Sequence, residues 1–217
     1  MTELEMARFN MVESQVRPNG VTGERLLAAM MAVAREDFLP ESCRLVAYAE
    51  TDVPYGVGGR TLPEPLSFAR LVQMAEVSPS DRVLLVGDGT GYGAAVVSWI
   101  AAKVVSLECE PALAALAKTN LAGTPNATAF EGALEEGCLN LQPFDVIIVL
   151  GRAEAIPEKL FSQLAEGGRL VAAVGRAAVV PAQVWKMTKG SRSARQGFDV
   201  ALPALPSFAA REAEFVF

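Results

Sequence analysis

The apolar run Val83-Leu84-Leu85-Val86 stops abruptly at Gly87-Asp88-Gly89-Thr90-Gly91, and a helix-forming stretch from Tyr92 follows. A short uncharged run of this kind predicts a parallel strand buried on both faces. Glycines at its end let backbone approach a ligand closely, and the N-terminus of the next helix offers N–H groups with no intrahelical partner. The spacing separates two nucleotide-binding alternatives. A dinucleotide fingerprint needs Gly-x-Gly-x-x-Gly, but Tyr92 occupies its last position; a P-loop needs Gly-Lys-Ser/Thr, which is absent. Glu108 closes the next apolar run, near the roughly 20-residue spacing of an acid that takes ribose hydroxyls. Loop and acid together predict a nucleoside site.

The surrounding pattern alternates in the way a βαβ fold requires. Strands are expected at 82–86, 104–107, 127–130, 144–150 and 169–174. Helices are expected at 66–75, 92–102, 111–121 and 157–164, with Gly167-Gly168 as a turn. Ahead of them, residues 23–35 carry apolar side chains at helical spacing behind a possible cap at Thr22. Residues 51–65 form a Gly/Pro-rich loop. The tail lacks helices: 182–188, a Lys189-Gly190 turn, 198–202 and 214–217 suggest antiparallel edge strands. The expected architecture is a Rossmann-like, doubly wound α/β fold. Its sheet is mostly parallel with antiparallel C-terminal edge strands, and an N-terminal helical extension precedes it. It forms one domain over 1–217, with helices and loop to residue 65 and the core from 66.

Composition limits the chemistry. The 217 residues contain no histidine, which removes imidazole-based nucleophile pairs and zinc sites. Cys43, Cys109 and Cys138 have no metal-ligand spacing and read as free thiols of a reducing cytoplasm. No metal site is expected. A formal charge of -6 argues against a nucleic-acid or anionic-membrane surface. The N-terminus is acidic where a secretory signal would be basic, and 94–102 is about half the ~20 residues of a membrane span. A cytoplasmic location is therefore expected. Trp99 and Trp185 read as packing residues, and Ser191 to Arg195 as a solvated hairpin.

Val83 to Tyr92 resembles the first motif of the protein-L-isoaspartate O-methyltransferases. Met30 to Pro40 is similar to that family's Met-x-x-Val-Pro-Arg-x-x-Phe-Val-Pro. Tyr48, Pro54, Gly56 and Gly59-Arg60-Thr61-Leu62-Pro63-Glu64-Pro65 are similar to its stretch ending Gln-Thr-Ile-Ser-Gln-Pro. Residues 144–149, 156–157 and 163–171 extend the resemblance, which covers about 10–175 in unbroken order. It implies a methyltransferase using S-adenosyl-L-methionine and acting on the isoaspartyl carboxylate of a damaged protein or peptide. On that reading Gly87, Asp88, Gly89, Thr90 and Gly91 hold the methionine part, Glu108 the ribose, and Ala133 and Leu134 face the adenine. Arg60 and Thr61 lie on the substrate side. No oligomeric state is implied.

The departures fall on site positions. Pro63 stands where the family has its active-site Ser, and Leu66 where it often has His or Tyr. Leu85 replaces the acid of the first-motif strand, and Ala133 replaces the Asp of the family's Gly-Asp-Gly. Asp88 in the loop and Glu131 are the acids placed to compensate. A carboxylate nucleophile is already ionised at neutral pH, so transfer to it needs alignment rather than a base. Three readings follow from this pattern: an isoaspartyl methyltransferase, a methyltransferase-like binding or assembly protein that has lost catalysis, or a methyltransferase redirected to another substrate. A nicotinamide-dependent reductase is disfavoured by Tyr92.

Overall fold

The computed structural model of the protein describes residues 1–208. Five strands form its parallel core: β3 (Arg82–Val86), β4 (Lys103–Glu108), β5 (Ala127–Glu131), β6 (Phe144–Ala153) and β7 (Leu164–Val174). With β8 (Val179–Thr188) and β9 (Ser191–Ala201) they form one seven-stranded sheet in the order β5-β4-β3-β6-β7-β8-β9. Pairs from β5 to β7 are parallel, and β8 and β9 add antiparallel to the edge. The expected strands 198–202 and 182–188 belong to this long hairpin; the expected strand at 214–217 lies outside the described residues.

Side chains alternate between two cores, as the two-residue period of a strand requires. Val83, Leu85, Val104, Val146 and Ile148 face one side, where the N-terminal helices pack. Leu84, Val86, Val105, Ile147 and Val149 face the other, with Leu160, Phe161 and Leu170. Helices α3 (Pro65–Met74), α4 (Tyr92–Val97), α5 (Pro111–Asn120) and α6 (Glu158–Phe161) follow the expected order, though α4 and α6 are shorter than expected. The Asn126 amide donates to the carbonyls of Ser98 (2.8 Å) and Ala101 (3.1 Å), tying off the chain beyond α4 before β4 begins. Trp99 consequently sits on an exposed turn, 61% exposed, rather than in packing. Trp185 does pack, edge-on to Phe161 at 5.7 Å.

The N-terminal extension begins with α1 (Glu3–Asn10), a π-helical turn (Met11–Val16) and α2 (Glu24–Ala32). Gly23, not Thr22, is the N-cap of α2; the Gln73 side chain accepts from both backbone N–H groups, at 2.7 and 3.2 Å. Two-residue strands β1 (Val53–Pro54) and β2 (Thr61–Leu62) pair antiparallel and turn the Gly/Pro-rich loop into a short strap. The buried Arg35 fixes its base, donating to the carbonyls of Ala47 (2.6 Å) and Pro63 (2.5 Å) while lying over the Tyr92 ring. Tyr92 also meets Phe38 and Phe68 at 5.6 and 5.4 Å, so the tyrosine after the glycine loop is a packing hub. Among the described residues, no helix is long and apolar enough to cross a membrane.

Gln163, fully buried, holds the turn after β5. It donates to the carbonyls of Glu136 and Lys159 and accepts from the Cys138 N–H at 2.7 Å. Gln163→Leu is expected to lower stability by about 1–3 kcal/mol through the orphaned Cys138 N–H alone, read as a drop in urea midpoint at unchanged m-value.

Candidate active site

Strand order reverses beside β3: the chain moves outward through β4 to β5, then returns to β6 on the other side. A crevice at the carboxyl ends of strands at such a switch point is where open α/β sheets bind ligands. The glycine loop lies there. Gly87, Gly89 and Gly91 adopt φ of +80°, +63° and +93°, the left-handed region that a side chain disfavours. Gly87 N–H donates to the Leu107 carbonyl at 2.8 Å, which draws the loop over the end of β4.

Glu108 ends β4 beneath that loop and is fully buried. Its Oε1 accepts from the N–H groups of Cys109 (2.9 Å) and Glu110 (3.1 Å). Its Oε2 accepts from Gly89 N–H (2.8 Å) and from Nη2 of Arg60 (3.0 Å). With the Cys109 thiol, which donates to Oε1 at 3.5 Å, five donors converge on one carboxylate. Arg60 also donates to the Gly87 carbonyl at 2.8 Å, so its guanidinium lies inside the crevice, not on an open substrate face. The pair is sealed from solvent, with side-chain exposures of 5% and 1%.

Asp88 points elsewhere. Its carboxylate accepts from Gly93 N–H (2.8 Å) and Ala94 N–H (3.0 Å), satisfying the first turn of α4. A Cβ on Gly93 would collide with Asp88 Oδ1 and lie 3.1 Å from a Leu85 methyl. The Asp88 carboxylate and the Leu85 side chain thus both pack against Gly93. Burial pushes the Asp88 pKa up to about 7, against the pull of the hydrogen bonds it accepts. Thr90 also faces the protein: its hydroxyl donates to the Phe38 carbonyl (2.7 Å), and its carbonyl accepts from Asn120 (2.9 Å). Gly132 N–H donates to the Glu108 carbonyl at 3.0 Å, which places exposed Ala133 and buried Leu134 beside the end of β4. Glu131 is exposed, in register with Glu108. Thr61 is half-buried in β2, and Pro63 is buried behind it. Cys43, Cys109 and Cys138 are free thiols, and burial pushes the last two up to about 11.

Two further residues, Tyr55 and Leu205, line the crevice. Tyr55, buried, lays its ring against Gly89, well inside the space a Cβ there would need. Leu205 covers both Gly87 and Gly151: Cβ atoms there would come within 2.9 and 2.7 Å of its methyls. The segment carrying it docks on β6 through Arg152 N–H to the Pro203 carbonyl (2.8 Å) and Leu205 N–H to the Arg152 carbonyl (2.9 Å). An aromatic in a glycine-rich loop is a signal that could have marked Tyr55; nothing local marks Leu205.

Sheet order, glycine loop and strand-end acid define a Rossmann-like fold of the methyltransferase kind. The chain belongs to the protein-L-isoaspartate(D-aspartate) O-methyltransferase family, whose model matches residues 7–204. It is 40% identical over 177 residues to a protein-L-isoaspartate O-methyltransferase of Koribacter versatilis, spanning 81% of this chain and 79% of that one. It is 41% identical over 170 residues to one from Methanoculleus marisnigri, spanning 77% of each. A solved protein-L-isoaspartate O-methyltransferase superimposes with a TM-score of 0.79 at 26% identity, over 93% of this chain and 65% of that one.

The residues suit a nucleoside chemically: a carboxylate at a strand end and glycines at positive φ above it. The space does not suit it in this conformation. Tyr55, Arg60 and Leu205 fill the crevice, and every acceptor position of Glu108 facing a donor is engaged.

Proposed function

We propose that this protein is an S-adenosyl-L-methionine-dependent protein-L-isoaspartate O-methyltransferase that methylates a carboxylate in damaged proteins. The observation that carries the reading is family membership across 7–204 together with Glu108 set beneath the glycine loop. In this reading Gly87 to Gly91 and Glu108 form the cofactor crevice, Ala133 and Leu134 flank its adenine end, and Thr61 borders the substrate. Asp88 contributes by holding α4 in place. Residues 1–65 and the sheet act as one unit, because Arg35 ties the strap to Tyr92. The substrate is a protein or peptide rather than nucleic acid, in keeping with the formal charge of -6, and the work is repair in the cytoplasm.

Methyl incorporation into an isoaspartyl peptide, with S-adenosylhomocysteine titrated by calorimetry, tests this. Incorporation is the expected result; no binding at millimolar ligand would sink it. A second reading, a binding protein without catalysis, is favoured by Pro63, which brings neither hydroxyl nor N–H, and by the filled crevice. Binding without methylation would select that reading. Pro63→Ser keeps the carbonyl that Arg35 uses and restores a hydroxyl. It is expected to raise the methylation rate by about 10²–10³, the worth of one preorganised donor. Ala133→Asp is expected to tighten the cofactor about tenfold through a charge-assisted hydrogen bond.

A further inference from the structure

We infer that Arg60 is a built-in competitor for the cofactor, holding the ribose carboxylate in a closed state that ligand must break. The inference rests on the cofactor reading of Glu108 given above. Its ground is the sealed contact itself: one guanidinium nitrogen bridges Glu108 Oε2 and the Gly87 carbonyl, two groups on the crevice wall. Tyr55 on Gly89 and Leu205 on Gly87 close the space on either side.

The strap is made to move. Between its two short strands, Gly56, Gly58 and Gly59 all have positive φ (+76°, +57°, +64°), and no Cβ would meet any atom at Gly56 or Gly59. Internally its turn has two backbone bonds, Tyr55 N–H to the Arg60 carbonyl and Arg60 N–H to the Val57 carbonyl, both 3.0 Å. The closed state is also imperfect. Arg60 Nη1 is buried with no hydrogen-bond partner among the described residues. Leaving such a group unmet opposes closure, and opening to water satisfies it. The closed form is thereby held by one good ion pair and weakened by an orphaned donor on the same guanidinium, which is the balance a displaceable occupant needs.

A ribose hydroxyl donating to Glu108 Oε2 therefore competes directly with Arg60. Whatever fraction of molecules is open scales the apparent affinity, since a ligand that binds only the open form sees its dissociation constant divided by that fraction. Arg60→Gln loses the charge that holds the strap shut and keeps a donor. Arg60→Lys keeps the charge but is shorter and ends in a single ammonium, so it holds the Glu108 and Gly87 acceptors less well.

The test is calorimetric titration of wild type, Arg60→Gln and Arg60→Lys with S-adenosylhomocysteine, with hydrogen exchange on the wild type as an independent measurement. Arg60→Gln is expected to bind about tenfold tighter or more, with Arg60→Lys in between. In the wild type, ligand should speed exchange at the Tyr55 and Arg60 amides while slowing it at Gly89. Equal or weaker binding by Arg60→Gln, with the wild type binding normally, would overturn the competitor role and leave the cofactor reading intact. Slower exchange over 55–60 on ligand addition would overturn it too, showing a strap that closes over the cofactor. Should Arg60→Gln fail to fold, the wild-type exchange data decide. No binding by any of the three proteins would overturn both the cofactor reading and this inference.

Discussion

Replacing Glu108 by leucine should lower the unfolding free energy by about 3–5 kcal/mol, the usual consequence of stranding a buried charge. Arg60 would keep its position against Gly87 with nothing to balance its cation, and the N–H groups of Gly89, Cys109 and Glu110 would lose their acceptor. The companion variant separates these effects. Arg60→Met combined with Glu108→Leu removes both charges, and replacing a buried ion pair by apolar side chains is often close to neutral. Here it should recover only part of the loss, because three backbone donors remain orphaned. Urea denaturation of the two single variants and the double one closes the cycle. A double variant no more stable than Glu108→Leu would mean that the carboxylate serves the backbone and the ion pair contributes nothing.

Asp88→Ala should destabilise by on the order of 1–3 kcal/mol for each of the two N–H groups it leaves unmet at the start of α4. The pH dependence follows from the raised pKa. In the unfolded chain this carboxyl titrates near 4, whereas the fold holds it at about 7. The folded state therefore binds its proton more tightly. The contribution is fully present below about pH 4 and is lost as pH rises through 7. Melting of the wild type at pH 5 and pH 8 should show a fall attributable to this group. Asp88→Asn, which retains one acceptor and cannot ionise, should remove that part of the fall. An unchanged pH slope in Asp88→Asn would show that the carboxyl is not the group responsible.

Much of the architecture is legible residue by residue because its signals are local. Strand β3 is bounded by a polar turn and a glycine loop, and its structural limits, Arg82–Val86, match the apolar run. The proline at the start of α5 likewise marks its first turn. Boundaries fail where a distant contact decides them. Tyr92 to Ala102 has helical composition throughout, yet α4 stops at Val97, with Asn126 tying the following turn to the next strand. Gly167-Gly168 reads as a turn ahead of a strand from Arg169. The strand instead starts at Leu164 and runs through the glycines with a register shift, and a Cβ on Gly168 would lie 2.8 Å from the Ala165 carbonyl.

The same division runs through the candidate site. Glu108 and the glycine loop are legible because strand, turn and helix bring them together within one βαβ unit. Arg60 is legible as a charged residue in a glycine-rich loop, but its target lies 48 positions away and the loop pattern does not name it. Asp88 is visible as a loop acid, whereas its orientation depends on Gly93 and Leu85 behind it. Leu205 lies beyond the stretch that resembles the family motifs, and only the sheet shows that residues 203–205 lie along β6.

That last contact bears on how the protein is made. A chain emerging from the ribosome exposes the glycine loop and Glu108 more than ninety residues before Leu205 leaves the tunnel. For most of synthesis the crevice lacks one of its walls, so a truncated product ending near Ala201 would carry the whole sheet and an uncovered Gly87 and Gly151. In chain order the sheet is complete at Ala201, and the crevice wall at Leu205 comes only after it.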